Sequence, residues 1–336
     1  MNEILISDPT LRDGSHAIGH QLSKRQIEEY CKLAERANIP IVEVGHGNGL
    51  GASSLQVGES LLTDEEMLVT AKQNLKNTKL GIHVIPGFAT IKRDLDVAIS
   101  YGVDVVRVAS HCTEADITKR HIEFARSKGK EVYGVLMMSH MASSNLLVEE
   151  AKKMESYGAL GVILMDSAGA YLLEDVKERI SCLVNKLDIR VGFHAHNNLG
   201  LGVANSLIAA QEGATIIDGT SRGFGAGSGN AQLESIIAVL HKSGFKIDID
   251  FYKMLDAAEY IEKEFSKELP FSDSLSIISG KVGVFSGFKK HVLRIANESG
   301  VNPRDILVEL GQKGIVAGQE DIIIEVVNKI KNRDKI

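Results

Sequence analysis

The first 240 positions of the chain alternate between short apolar runs and longer amphipathic segments. The runs are rich in Val and Ile, which is typical of strands buried on both faces of a sheet. Eight such strands alternating with eight helices over this length predict a TIM (β/α)8 barrel. The runs are Ile4–Ile6, Ile41–Val44, Leu80–Val84, Val103–Val108, Val132–Met137, Gly161–Met165, Arg190–Phe193 and Thr215–Ile217.

The segments between the runs carry their apolar residues at helical spacing. The one that starts at Thr63 has Glu66 three residues later, which is the signature of a capping box. The predicted helices begin near Ser23, Thr63, Thr90, Glu114, Asn145, Leu172, Gly202 and Gln232.

An open, doubly wound sheet is the alternative to a barrel. Such a sheet usually has fewer strands, and it would not bring the seventh strand back to the first. In a barrel the last strand pairs with the first, and active sites lie at the carboxyl ends of the strands. The ends of the first and seventh strands are therefore expected on one rim.

The pattern changes after Leu240, where no further strand-like run occurs. One more helix is predicted over Phe251–Lys267, and Pro270 to Asp273 indicate a break. Three further helices are predicted over Phe285–Glu298, Pro303–Leu310 and Glu320–Lys331. We therefore predict a catalytic barrel over residues 1–264 and a small helical C-terminal domain over residues 265–336.

Composition and charge argue against several classes of function. The net charge of −6 comes without any basic cluster, which argues against nucleic acid as a partner. No apolar run approaches the roughly 20 residues of a membrane span, and the N-terminus does not resemble a signal peptide. The three cysteines are far apart and fit reduced thiols, so a cytoplasmic protein is expected; they are Cys31, Cys112 and Cys182.

Candidate metal ligands follow two of the predicted strands. His194 and His196 are two residues apart on a strand and point to the same face. Such a pair alone is more often structural than a ligand pair. Asp13, after the first strand, would complete a two-histidine, one-carboxylate site with positions left for water or substrate. The alternative role for Asp13 is a turn or helix cap.

Residues beside Asp13 and at other strand ends are further candidates for substrate binding and catalysis. Arg12 could hold a carboxylate or an enolate in bidentate fashion, or form only a surface salt bridge. His16 could act as a general base, although a lone histidine in a loop is more often structural. Ser167 could donate to a substrate oxygen or cap a helix. The glycine-rich segment 223–230 could bind phosphate or let the backbone approach a small ligand.

Four motifs together resemble one family. They are Asp8-Pro-Thr-Leu-Arg-Asp-Gly-Ser-His16, Glu43-Val-Gly-His-Gly47, Asp166-Ser-Ala-Gly169 and His194-Ala-His-Asn-Asn198. The first and last are similar to the metal-dependent barrels that include hydroxymethylglutaryl-CoA lyase and isopropylmalate synthase. With His16 and the two middle motifs, the likeness is to the 4-hydroxy-2-oxovalerate aldolase family, over most of the chain.

The resemblance implies cleavage of a 4-hydroxy-2-oxo acid, such as 4-hydroxy-2-oxopentanoate, to pyruvate and an aldehyde, typically with Mn²⁺. It assigns the metal to Asp13, His194 and His196, of which Asp13 and His194 also contact substrate. It makes Arg12 the group that stabilises the pyruvate enolate and His16 the base that takes the 4-hydroxyl proton. Ser167 is expected to touch the substrate.

Two departures from the family pattern concern selectivity. Phe285 stands where the family usually has Tyr in Gly-Val-Tyr-Ser, and Asn48 stands where it commonly has Asp. A Phe cannot donate the hydrogen bond of the lost hydroxyl. We expect Phe285 to lie at the aldehyde end of the substrate and to relax selectivity at C4.

The family also implies a partner. Its helical domain docks an acylating, NAD-dependent aldehyde dehydrogenase, so a homodimer or a hetero-oligomer is expected here. Two alternatives remain open from the sequence. One is a Claisen-type acyl-CoA condensing enzyme or lyase on the same barrel, and the other is a non-catalytic partner subunit of a dehydrogenase.

Overall fold

Eight parallel strands form a closed barrel in the computed structural model, which describes residues 3–265 and 269–333. Each strand pairs with the next along the chain, and the eighth pairs with the first. The predicted TIM barrel is confirmed. The strands are β1 Leu5–Leu11, β2 Ile41–Val44, β3 Lys79–Val84, β4 Val105–His111, β5 Glu131–Met137, β6 Gly161–Asp166, β7 Arg190–Ala195 and β8 Ile216–Asp218.

Helices follow the strands around the outside of the barrel. Thr63 and Glu66 form the predicted capping box, with the Thr63 side chain accepting from the Glu66 backbone N–H. A π-helical turn over Ile91–Leu95 leads into the short third helix. The helices are α1 Lys24–Arg36, α2 Asp64–Asn74, α3 Asp96–Ser100, α4 Lys119–Ser127, α5 Ser144–Ser156, α6 Leu173–Val184, α7 Gly202–Gln211, α8 Leu233–Lys242 and α9 Phe251–Glu264.

The C-terminal region is helical, as predicted; the three helices predicted beyond α9 are present, and the structure adds one that was not predicted. Four lie in the described residues, α10 Ser274–Val282, α11 Phe288–Ser299, α12 Pro303–Lys313 and α13 Ile322–Arg333. Asp273, assigned to a break, is the N-cap of α10 and accepts from the Ser276 N–H at 2.8 Å. The predicted end of α9 at Lys267 lies outside the described residues.

The interior of the barrel has two layers of opposite character. The lower layer, nearer the amino ends of the strands, is apolar and includes Ile41, Val105, Tyr133, Ile163 and Ile216. The upper layer is the buried polar group of Glu43, Arg107, His194 and Asp218. Three of its members lie two residues beyond a member of the lower layer on the same strand, so they point inward one step closer to the rim. Strands β5 and β6 remain apolar above the lower layer, at Val135 and Met165.

The helical domain has a hydrophobic cluster of its own and packs on the carboxyl-end rim of the barrel. A methyl group on Gly280 of α10 would lie 2.9 Å from Leu199 and 3.1 Å from the Gly169 carbonyl oxygen, so the close approach requires glycine. Ser286 donates to the Asn198 side-chain oxygen at 3.1 Å. The domain therefore touches the loop that follows β7. None of the helices in the described ranges is long and apolar enough to cross a bilayer.

Candidate metal centre

Asp13, His194 and His196 converge at the carboxyl-end rim of the barrel. One oxygen of Asp13 and one nitrogen of each histidine lie within 4.8 Å of one another, and all three residues are buried. Asp13 follows β1, while His194 belongs to β7 and His196 follows it directly. The structure thus brings together the three residues that the sequence predicted as ligands.

The protonation of this group suits a cation. Burial lowers the pKa of His196 to about 4, with Asp13 opposing part of that shift. Burial alone would raise the pKa of Asp13, but Arg12 and the two histidines hold it well below its ordinary range. At neutral pH the group therefore offers an anionic carboxylate and a neutral His196 imidazole, the forms in which these side chains bind metals.

The contacts of His194 also fit a metal ligand. Its Nδ1 lies 3.0 Å from Asp218 Oδ2, so a neutral ring donates there and turns the lone pair of Nε2 away from that carboxylate. Nε2 then faces Asn230 Oδ1 at 3.2 Å and Asp13 Oδ2 at 4.0 Å. Nδ1 of His196 has no hydrogen-bond partner in the described structure. Several acceptor atoms face one another here, an arrangement that a divalent cation satisfies.

Backbone close to Asp13 leaves no room for side chains. A methyl group on Gly225 would lie 2.8 Å from Asp13 Oδ1 and would collide with the amide of Asn230. Asn230 Nδ2 in turn donates to Asp13 Oδ1 at 3.0 Å. The glycine-rich segment therefore approaches Asp13 closely, while both of its predicted roles, toward phosphate or a small ligand, stay predictions.

Arg12 is buried beside Asp13, so the alternative of a surface salt bridge was wrong. Its Nε donates to Glu43 Oε2 at 3.0 Å, and Nη1 donates to Asp13 Oδ2 at 2.7 Å. Nη2 is buried and has no partner in the described structure. Because an unpaired buried donor costs free energy, Nη2 is suited to an oxygen of a bound ligand.

His16 lies in the short helical turn after Asp13 and is half-buried. A side chain at Gly47 would collide with the His16 ring, so the ring rests directly on backbone. Burial lowers the pKa of His16, although the Asp13 charge opposes the shift. The ring is therefore neutral at pH 7 and can accept a proton.

Two further histidines, His20 and His46, stand next to His16. The ring centroids of His20 and His46 are 3.7 Å apart in a stack, and His20 is 4.8 Å from His16. His46 Nδ1 accepts from the Asn48 N–H at 3.0 Å, and its Nε2 lies 3.1 Å from the Gly58 carbonyl oxygen. A ring with Nε2 protonated satisfies both contacts, so His46 supports the loop that carries Gly47.

Ser167 and Phe285 have different surroundings. Ser167 Oγ accepts from the Met138 N–H at 2.9 Å. It does not cap a helix, because the N-cap of α6 is Leu172, so that alternative was wrong. Phe285 packs with the cluster of the helical domain, while its neighbour Ser286 lies on the barrel rim. Its expected contact with substrate stays a prediction.

Sequence reasoning missed the polar residues behind the candidate ligands. Glu43 and Arg107 were counted inside apolar strands, and Asp218 and Asn230 were not singled out. The available signal was a charged residue in the middle of an apolar run, as in Ile-Val-Glu-Val and Val-Val-Arg-Val. Charges at such positions are buried, and buried charges need partners.

Comparison with known proteins shows the class to which this chain belongs. Residues 3–261 match the family model described as HMGL-like, and residues 270–332 match a DmpG-like communication domain. The class is therefore an HMGL-like barrel joined to a communication domain. A carboxyl transferase domain of Rhizobium etli pyruvate carboxylase shares this fold at 15% identity, with a TM-score of 0.82 over 99% of this chain and 61% of that chain.

Relatives with much higher sequence identity show which family within this class the chain belongs to. A 4-hydroxy-2-oxovalerate aldolase of Spirochaeta aurantia is 61% identical over 98% of this chain and 97% of the relative. One from Pectobacterium atrosepticum is 58% identical over 99% of this chain and 97% of the relative. The chain belongs to the 4-hydroxy-2-oxovalerate aldolase family, as the motifs predicted.

Proposed function

We propose that the chain is a divalent-metal-dependent aldolase that cleaves a 4-hydroxy-2-oxo acid, such as 4-hydroxy-2-oxopentanoate, to pyruvate and an aldehyde. The observation that carries the proposal is the convergence of Asp13, His194 and His196 beside Arg12 and His16. The names of the relatives support the substrate class.

The metal would be held by Asp13, His194 and His196, and we propose Mn²⁺. When bound, the ion supplies Lewis-acid stabilisation of the charge that develops on the 2-oxo oxygen. Asp13 and His194 would also form part of the substrate site.

The chain's own residues supply the remaining steps. His16, neutral at pH 7, takes the proton of the 4-hydroxyl; the C3–C4 bond breaks, and C4 leaves as the aldehyde carbon. The electron pair of that bond passes into the pyruvate enolate, which Arg12 stabilises through its unpartnered Nη2. Ser167 accepts from Met138 and keeps its own hydroxyl hydrogen for a substrate oxygen. Protonation of the enolate at C3 by solvent completes pyruvate, and loss of a proton from His16 to solvent restores the base.

A pyruvate-release assay on a panel of 4-hydroxy-2-oxo acids tests this proposal. Chelation should abolish release, and added Mn²⁺ should restore it. Turnover of acetyl-CoA with no cleavage of any panel member would contradict the proposal and favour the Claisen-type alternative. No turnover of either kind by the metal-loaded protein would favour a non-catalytic subunit.

We further propose that the helical domain binds an acylating, NAD-dependent aldehyde dehydrogenase in the cytoplasm, with the aldolase as a homodimer within the complex. The match of residues 270–332 to a communication domain supports this partner. Transfer of the aldehyde between the two sites keeps a reactive product out of bulk water. Co-expression with candidate dehydrogenases, followed by size-exclusion chromatography, tests it, and an aldolase that elutes alone from every pairing would contradict it.

A further inference from the structure

Arg107 bridges two carboxylates inside the barrel without touching the candidate ligands. It lies on β4 and is buried. Its Nη1 donates to Glu43 Oε1, and its Nη2 donates to Asp218 Oδ2 at 2.6 Å. The two carboxylates belong to β2 and β8 on either side of β1, so one guanidinium spans the barrel interior.

Each of the two carboxylates also contacts a residue of the candidate site. Glu43 Oε2 accepts from Arg12 Nε at 3.0 Å. Asp218 Oδ2 lies 3.0 Å from His194 Nδ1. A continuous buried chain of hydrogen bonds therefore runs from Arg12 through Glu43, Arg107 and Asp218 to His194.

We propose that Arg107 is a positioning residue that orients Arg12 and His194 together, through Glu43 and Asp218. The inference rests on the proposed metal-dependent function. The planar fork of arginine can donate to two carboxylates from separate nitrogens, whereas lysine offers one point charge. Loss of the fork frees Asp218 to turn away from His194 and Glu43 to turn away from Arg12.

A purely structural role makes a different prediction. If Arg107 only neutralised buried charge, its replacement would lower the melting temperature but leave the metal affinity of the folded protein unchanged. Partners that orient a histidine ligand typically change metal affinity about 10–100-fold when removed. Metal affinity therefore separates the two roles.

The experiment compares Arg107→Lys with the wild type. Electron paramagnetic resonance of free Mn²⁺ gives the dissociation constant, and pyruvate release at saturating Mn²⁺ gives kcat and KM. We expect the Mn²⁺ dissociation constant to rise about 10–100-fold and kcat to fall even at saturating metal, because Arg12 is also released. Unchanged Mn²⁺ affinity in folded Arg107→Lys protein would overturn the proposal.

Arg179→Lys is the matched control. Arg179 is a partly buried arginine that pairs with Asp175 on the outer helix α6 and lies over the ring of Tyr171. It has no contact with the chain from Arg12 to His194. Its replacement should leave the Mn²⁺ affinity unchanged, so a comparable loss in this variant would assign the effect to arginine removal in general and overturn the proposal.

A double-mutant cycle with Asp218→Asn tests the route. If Arg107 acts on the metal through Asp218, the two substitutions will be non-additive in Mn²⁺ affinity. Additive losses would overturn the proposal. If Arg107→Lys does not fold, two other variants test the two sides of the hydrogen-bond chain separately. Asp218→Asn should weaken Mn²⁺ binding, and Glu43→Gln should lower kcat at saturating metal. Failure of either expectation would overturn it.

The wild-type protein distinguishes failure of the proposed function from failure of the proposed role of Arg107. A wild-type protein that neither binds Mn²⁺ nor releases pyruvate would remove the proposed function, and the role of Arg107 with it. A wild type that does both, beside an Arg107→Lys variant of equal affinity, would remove the role of Arg107 alone.

Discussion

The two layers of the barrel interior differ in what they require from their neighbours. Side chains of the lower layer, such as Ile163, gain free energy simply by leaving water. Side chains of the upper layer, such as Glu43 and Arg107, lose free energy on leaving water unless each one is paired. The lower layer can therefore tolerate a change of shape, whereas the upper layer works only as a set. We expect substitutions in the lower layer to alter stability and those above it to alter chemistry.

The largest effect is expected from His196→Ala, above the upper layer. Removal of one of three proposed ligands should abolish Mn²⁺ binding and bring pyruvate release below detection. Metal content after dialysis and the pyruvate assay measure both, while circular dichroism should show an intact barrel. Full activity of this variant in metal-free buffer would remove the metal centre from the mechanism.

A smaller, purely kinetic effect is expected from His16→Ala. Loss of a general base typically costs about 10²–10⁴-fold in rate, while Mn²⁺ affinity should stay near that of the wild type. Because burial lowers the pKa of His16, the wild-type rate should fall only as the pH drops below the ordinary histidine range, near 6.5. Loss of metal in the variant would instead identify His16 as a ligand.

The lower layer is tested by Ile163→Ala. Truncation of a buried isoleucine costs about 2–5 kcal/mol of unfolding free energy, because transfer and cavity terms add. Denaturant titration measures that loss, and Mn²⁺ affinity should not change. Weakened metal binding at temperatures where the variant is fully folded would show that the two layers are coupled after all.

The smallest effect is expected from Phe285→Tyr. This variant tests whether the helical domain contributes a substrate contact at the barrel rim. A restored hydroxyl should sharpen discrimination between the C4 enantiomers of the substrate, measured as the ratio of their kcat/KM values. Stability and Mn²⁺ affinity should stay as they are. An unchanged ratio would mean that position 285 does not reach the substrate.

The sequence predicted the barrel because its strands are short, apolar and evenly spaced. It did not predict α10, whose Ser, Ile and Gly residues are weak helix formers, although Asp273 provides a cap. That helix depends on packing against Leu199 and Gly169, which only the folded structure brings near. Local pattern and tertiary packing thus account for different helices.

The candidate site likewise contains residues that the local sequence reveals and residues that only tertiary packing brings together. Asp13 and the two histidines could be predicted because ligand spacing and strand ends are visible in the sequence. Glu43, Arg107 and Asp218 come from three separate strands, and nothing local links them before the barrel closes. The stacked histidines His20 and His46 were missed for the same reason, since their contact depends on two loops meeting.

The buried charges beneath the rim have an electrical consequence. Three carboxylates, from Asp13, Glu43 and Asp218, pair with the guanidinium groups of Arg12 and Arg107, so this ion-paired group carries one more negative than positive charge in a region screened from water. Asp8 and Asp166 are buried in the same barrel and add no compensating positive charge. The excess of negative charge attracts a cation over a longer range than the ligand atoms themselves.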